Sequence, residues 1–130
     1  MPSMTFTIPG AAMGKPRMTR RDKWAQRDAV VRYRAWADQV RASAGFMAKR
    51  TLTKPVSLTC WFFLPMPASW SKIKQANHLG RAHTGKPDTD NLLKSVMDSL
   101  WENDSLVFKV TAAKFWHDSP MVSVIVEEEL

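Results

Sequence analysis

The sequence predicts a small single α+β domain, with a mixed or antiparallel sheet of about four strands packed with two or three helices. Three observations carry this. Asp22 to about Ala44 holds apolar side chains at helical spacing, Pro55 to Leu64 is a run of strand-forming residues, and two further extended segments follow residue 105. With 130 residues, 45% of them hydrophobic, and six tryptophans, the chain can bury one core but not two.

The elements follow in order. Met4 to Ile8 alternates as a first strand and stops at Pro9-Gly10. Gly10 to Arg21 is a loop carrying Lys15, Arg17, Arg20 and Arg21 and no acid. The long helix from Asp22 has its buried stripe at Ala29, Val30, Tyr33, Ala37, Val40 and Ala44. Arg27, Arg34 and Arg41 recur every seven residues on another side, where a solvated face is the commoner explanation. Trp24 and Trp36 fit a core or an interface better than a base-stacking platform. Gly45 to Lys54 reads as a polar, basic linker.

In the second strand Val56, Leu58, Cys60, Phe62 and Leu64 share one face, and Ser57, Thr59, Trp61 and Phe63 the other. Both faces turn apolar toward its end, which predicts a central strand covered on two sides. After Pro65-Met66-Pro67, Ser69 is placed to cap a short helix from Trp70 to about Leu79, closed by Gly80. The segment through Lys86 carries Lys72, Lys74, Arg81 and Lys86 without an acid, and lacks a core pattern, which predicts mobility. Its His78 and His83 have no cysteine partner and do not make a zinc site; surface histidines near phosphates are expected.

The next helix begins at the string Pro87-Asp88-Thr89-Asp90-Asn91. Leu92, Leu93, Val96, Met97 and Leu100 make its apolar face, and Asp90, Lys94 and Asp98 a polar stripe beside it. Glu102-Asn103-Asp104 follows its end. Leu106 to Trp116 then reads as a strand, and after the turn His117 to Pro120, Met121 to Val126 reads as its hairpin partner.

Two explanations compete for the acids. An aspartate before a helix is usually a cap, and an i, i+4 series of Asp, Lys and Asp is usually a solvated ladder. Neither needs a second aspartate two residues earlier or an acidic cluster past the helix. Such carboxylates suit Mg²⁺, or Mn²⁺, which take hard oxygen ligands and leave positions for phosphate oxygens and water. Lys94 would then be a cation beside charge developing on a phosphoryl group.

Charge distribution bears on the same choice. The net charge is +7. Residues 1–86 hold 16 of the 19 Lys+Arg and 3 of the 12 Asp+Glu, a net +13, and residues 87–130 hold the other 3 and 9, a net −6. A basic protein points to a polyanionic partner. A purely electrostatic DNA binder has little use for a concentrated acidic third, whereas a metal-dependent nuclease needs both a basic grip and an acidic pocket. The single Cys60 excludes an internal disulfide. No run approaches a membrane span and the first residues lack a cleavable-leader pattern, so the cytoplasm is the expected compartment and no membrane partner is expected.

The string Lys86-Pro87-Asp88-Thr89-Asp90-Asn91-Leu92-Leu93-Lys94, followed by Asp98, Leu100 and Trp101-Glu102-Asn103-Asp104-Ser105, resembles the RusA family of phage and prophage Holliday junction endonucleases. Pro67-Ala68-Ser69-Trp70-Ser71-Lys72, His83-Thr84-Gly85-Lys86 and Gly14-Lys15-Pro16-Arg17 resemble phage members too, so the likeness spans nearly the whole chain. The resemblance implies a RusA-like fold and a homodimeric, Mg²⁺-dependent nuclease that resolves four-way DNA junctions in recombination and repair. It places catalysis on Asp88, Asp90, Asp104 and Lys94, with Asp88, Asp90 and Asp104 as metal ligands. DNA contacts are expected from Lys15, Arg17, Arg20, Arg21, Lys72, Lys74, Arg81 and Lys86. Where the family often has two adjacent acids, this chain has Asn103-Asp104. Asp98 fits either a ligand or an ion-pair partner that orients Lys94, and Asn91 an outer-shell position. The alternatives are a non-catalytic phage DNA-binding protein, or the same chemistry acting on flap or duplex DNA.

Overall fold

The computed structural model describes residues 3–17, 27–49 and 51–129, with only the backbone of Phe46 and Lys49. Four strands form one mixed sheet in the order β1-β4-β2-β3, where β1 is Ser3–Pro9, β2 Val56–Pro65, β3 Val107–His117 and β4 Met121–Glu128. The helices are α1 (Asp28–Ala44), α2 (Lys72–His78) and α3 (Thr89–Leu100). Strand β4 runs antiparallel to both β1 and β2, while β2 and β3 are parallel. The predicted α+β class and mixed sheet are present.

The core lies between one sheet face and helices α1 and α3. Ile8, Leu58, Cys60, Phe62, Val122, Val124 and Val126 from the sheet meet Tyr33, Trp36, Val40 and Ala44 of α1 and Leu92, Val96 and Leu100 of α3. Alternation in β2 and β4 puts every second residue into this layer. Trp36 belongs to the core: its indole N–H donates to the buried Ser95 hydroxyl at 3.2 Å, which in turn donates to the Leu92 carbonyl. Burial of the Cys60 thiol pushes its pKa up to about 12, as befits a core residue.

Several expectations are corrected. Residues 121–126 do not form a hairpin with the preceding strand, because β2 lies between β3 and β4. The most apolar strand takes the centre, where it is flanked on both edges, and β4 crosses over it to reach β1. Nor is β2 covered on both faces. Trp61 is 49% exposed and Phe63 half-buried on a face that no described helix covers, where Phe115 of β3 stacks on Phe63 and meets Trp61 edge-on. The supposed linker after α1 starts as a short 3-10 helix, Gly45–Lys49, and sends Met47 and Leu52 into the core. The short helix is capped by Ser71, whose hydroxyl accepts from the Lys74 N–H, rather than by Ser69. Residues 22–26, including Trp24, lie outside the described residues.

Leu92 is fully buried under α1 and the sheet. Replacing it with alanine is expected to lower stability by about 2–5 kcal/mol, since an unfilled cavity adds to the lost transfer free energy. A urea midpoint would check this.

Candidate active site at the start of helix α3

The acidic motif is presented by a turn fixed to the sheet edge. Residues 80–83 run beside the end of β3: the Gly80 N–H donates to the Trp116 carbonyl, the Trp116 N–H to the Arg81 carbonyl, and the His83 N–H to the Lys114 carbonyl. Aromatic packing covers this seam, with His83 stacked on Trp116 at 3.7 Å and Trp70 against Trp116 at 4.8 Å. The segment predicted to be mobile is therefore anchored, and His83 is buried rather than on the surface.

Lys114 joins this seam to the motif. Its ammonium donates to the Gly85 carbonyl and, at 2.7 Å, to the Pro87 carbonyl, within a turn whose Lys86–Pro87 peptide is cis. Asp88 follows at once. It occupies the N-cap position of α3, yet its side chain makes no capping hydrogen bond. The carboxylate instead faces the Lys86 ammonium at 3.1 Å, an ion pair whose members are both half or more exposed. Such pairs contribute little to stability. Asp90, exposed in the first turn, makes no hydrogen bond or ion pair among the described residues. The capping explanation for Asp88 thus fails, and so does the Asp90–Lys94 rung of the ladder.

Lys94 pairs with Asp98 at 3.8 Å, and Asp98 also receives Lys15 at 3.9 Å. Asp98 therefore acts as the ion-pair partner of two lysines. The N-terminal loop rests on the same helix: a Cβ on Gly14 would stand 3.2 Å from the Asn91 Cβ, so glycine allows this approach. Sequence reasoning singled out Gly14 within a motif but not its approach to Asn91, and it missed Lys114. The spacing of Gly14 and Asn91 carries no signal for their meeting, and Lys114 read as one more strand residue.

Asp104 is elsewhere. It precedes β3, and its carbonyl accepts the Val107 N–H, whereas the Asp88 end of α3 adjoins Lys114 near the other end of that strand. A helix of 12 residues is about 18 Å long, so Asp88 and Asp104 stand at opposite ends of it. The expectation that Asp104 returns to the helix start is not met within one chain. Among the described residues no group of three acids, histidines or cysteines could hold a metal ion. Asn103 has a local task, its amide oxygen accepting the Ser105 N–H, while the half-buried Asp104 carboxylate has no partner among the described residues.

Of the basic residues, Lys72, Lys74, Arg81 and Lys86 are exposed along the acid-free segment before the motif, with Lys74 placed 4.5 Å over the Trp70 ring. Lys15 and Arg17 are exposed on the loop over α3, and the Arg17 carbonyl accepts from Arg27. Arg41 donates to the Ser99 carbonyl and pairs with Asp38, which gives it a structural role. Arg20 and Arg21 lie outside the described residues. No helix among the described residues is long and apolar enough to cross a membrane.

An exposed carboxylate pair without caps thus stands at a helix start beside acid-free basic chain. The model of the endodeoxyribonuclease RusA family matches residues 8–127, and the chain belongs to that family. It is therefore a nuclease with DNA as its substrate. The chain is also 30% identical over 139 residues, covering 98% of each sequence, to a protein of Bacillus subtilis (strain 168) named "Uncharacterized protein YqaN".

His83 makes the site's anchoring pH-dependent. Burial first, and the neighbouring Lys114 ammonium second, hold its pKa below the ordinary value of 6.5, and the Gly85 N–H donates to its Nδ1. A histidine with a lowered folded pKa contributes stability that is present above its unfolded pKa and is lost as the pH falls through the folded one. The urea midpoint is expected to drop between about pH 7 and pH 5, and His83→Phe to flatten that dependence.

Proposed function

We propose that this chain is one protomer of a homodimeric, Mg²⁺-dependent endonuclease, also served by Mn²⁺, that cleaves four-way DNA junctions in recombination and repair in the cytoplasm. The observation that carries the reading is the pair Asp88 and Asp90, two carboxylates released from capping and ladder duty at the N-terminus of α3. One or two carboxylates suffice to anchor Mg²⁺ when the remaining ligands are water and phosphate oxygens, so the pair fits the ion. When bound, such an ion supplies Lewis-acid polarisation of the scissile phosphoryl group and a hydrolytic nucleophile near neutral pH.

The chain's own residues do the rest. Lys86 and the positive end of α3 hold the phosphate against the carboxylates. Lys94, a turn beyond Asp90 and exposed, faces charge that builds on the transferring group, and Asp98 keeps its ammonium oriented. Lys15, Arg17, Arg20, Arg21, Lys72, Lys74 and Arg81 bind the DNA backbone. Asp104 completes the ligand set from a second copy, since α3 keeps it away from the Asp88 of its own chain. A two-fold dimer with two such sites suits a junction, which offers two equivalent cleavage positions.

The test is cleavage of synthetic four-way junction, flap and linear duplex, with Mg²⁺ and with a chelator. Junction cleavage that requires the metal and exceeds the other two is expected. Equal or greater cleavage of flap or duplex would overturn the substrate assignment. Asp88→Asn and Asp104→Asn should each be inactive alone. Mixed, they should regain activity, because one of the two sites in a mixed dimer then has both carboxylates. Persistent inactivity of the mixture would return Asp104 to its own chain.

Lys94→Ala is expected to lower single-turnover cleavage roughly a hundredfold, with the free energy of urea unfolding changed by only a few tenths of a kcal/mol. A shifted midpoint with unchanged cleavage would make Lys94 a scaffold residue.

A further inference from the structure

Lys114 is poorly placed for a DNA contact. It lies opposite the fully buried Phe62 in the register of β2 and β3, so its side chain leaves the sheet on the face that packs against the helices. It is half-buried, and no carboxylate pairs with it among the described residues. Its ammonium donates to the Gly85 carbonyl and, at 2.7 Å, to the Pro87 carbonyl. Lys86 and Lys94, by contrast, are exposed and face solvent. The Lys114 charge also stands close enough to His83 to help lower that residue's pKa, which puts it inside the seam and not on its outer surface.

The backbone that Lys114 holds is the one that presents Asp88. Among the described residues, 84–87 have no other hydrogen bond to the sheet: backbone pairing ends where the His83 N–H meets the Lys114 carbonyl, and the Gly85 N–H turns back on His83. Pro87 has no N–H to offer. On the far side, the Asp88 carbonyl accepts the Leu92 N–H as the first bond of α3. Asp88 is thus held between two anchors, the helix after it and Lys114 before it, the latter through the carbonyl of the peptide whose N–H is its own. Its carboxylate makes no cap and has only the exposed Lys86 as partner, so its placement follows this backbone.

We propose that Lys114 is a positioning residue for cleavage: by holding the Gly85 and Pro87 carbonyls it sets Asp88 at the spacing from Asp90 that a divalent ion needs, and it takes no part in gripping DNA. The inference rests on the reading of Asp88 and Asp90 as the metal-facing pair. Hydrogen bonds from a charged donor are stronger than neutral ones, so one side chain can fix two carbonyls. A purely structural role is the competing explanation. The seam, however, is already closed by the backbone bonds of Gly80, Trp116 and His83 and by the packing of Trp70 and His83 on Trp116, none of which uses the Lys114 ammonium.

Lys114→Met in the full chain, which keeps the length of the side chain and removes its donors, tests this. Binding of Mn²⁺ to the protein without DNA, read by electron paramagnetic resonance, is expected to weaken roughly tenfold or more, the usual effect of losing a residue that orients a metal ligand. Single-turnover junction cleavage should fall by a similar factor, while junction binding in chelator and its salt slope stay those of the wild type. Lys114→Arg keeps a charged donor of different shape and should lie between the two in Mn²⁺ affinity, again with unchanged DNA binding. Wild-type Mn²⁺ affinity or wild-type cleavage in Lys114→Met would overturn the proposal, as would a salt slope reduced by about one, the mark of a lost phosphate contact. If Lys114→Met loses the circular dichroism spectrum of the fold, Lys114→Arg decides alone, and wild-type Mn²⁺ affinity in that variant would overturn the proposal. Asp88→Asn measured alongside keeps the two readings apart. Mn²⁺ binding lost in Asp88→Asn but kept in Lys114→Met removes only the positioning role, whereas Mn²⁺ binding unaffected by Asp88→Asn removes the metal-facing pair itself.

Discussion

The antiparallel packing of α3 along β3 governs the acidic third of the molecule. The buried faces of α3, through Leu92, Val96 and Leu100, fix the helix over the sheet, and the short connection through Trp101 returns the chain directly into β3. Helix and strand therefore run in opposite directions, with Asp88 at one end and Asp104 at the other. The length of α3, about 18 Å, lies between the two ends. The three aspartates can be parts of one site only if something other than this chain's own fold joins them.

Lys114 is the second constraint, and it works on the remaining pair. Two carbonyls of the turn before α3 accept from its ammonium, so the position of Asp88 is referred to a strand of the sheet and not to a free loop. The stack of His83, Trp116 and Trp70 closes off the same seam. An ammonium satisfied by backbone carbonyls leaves the Asp88 carboxylate out of the bargain, which is what a metal-binding or phosphate-facing role requires. The ion pair with Lys86 is exposed enough to yield to either.

Much of the fold was legible because its periodicities are unmixed. The stripe of α1, the alternation of β2 and β4, and the apolar face of α3 each have one period, and the structure buries most of what those periods select, with Ala29, Leu93 and Met97 only half-buried. Strand order was not legible. Chain proximity favoured a hairpin for the last two strands, but proximity is a weaker influence than the gain from placing Val56, Leu58, Phe62 and Leu64 at the centre of the sheet. The face bearing Trp61 was misread because an apolar side chain does not announce what covers it. At the site, residue types and spacing singled out Asp88, Asp90 and Lys94, because a short sequence interval at a helix start keeps such residues close together. The placement of Asp104 was missed because it depends on the direction of β3 relative to α3, which no spacing encodes. The contacts of Gly14 and Lys114 are long-range for the same reason.

Direction also gives the charge asymmetry its meaning. In a linear reading, +13 in one part and −6 in the other look like two regions with separate tasks. In the fold they interleave: Lys15 reaches Asp98, Lys86 reaches Asp88, and Lys114 underlies the turn between them. Acid that stood alone would repel a phosphate, and base that stood alone would bind it without cleaving it. Only where the two meet, at the start of α3, can a phosphate be drawn in by cations and faced by carboxylates. The other acidic end, at Glu102 and Asp104, has no such cationic counterpart among the described residues of its own chain.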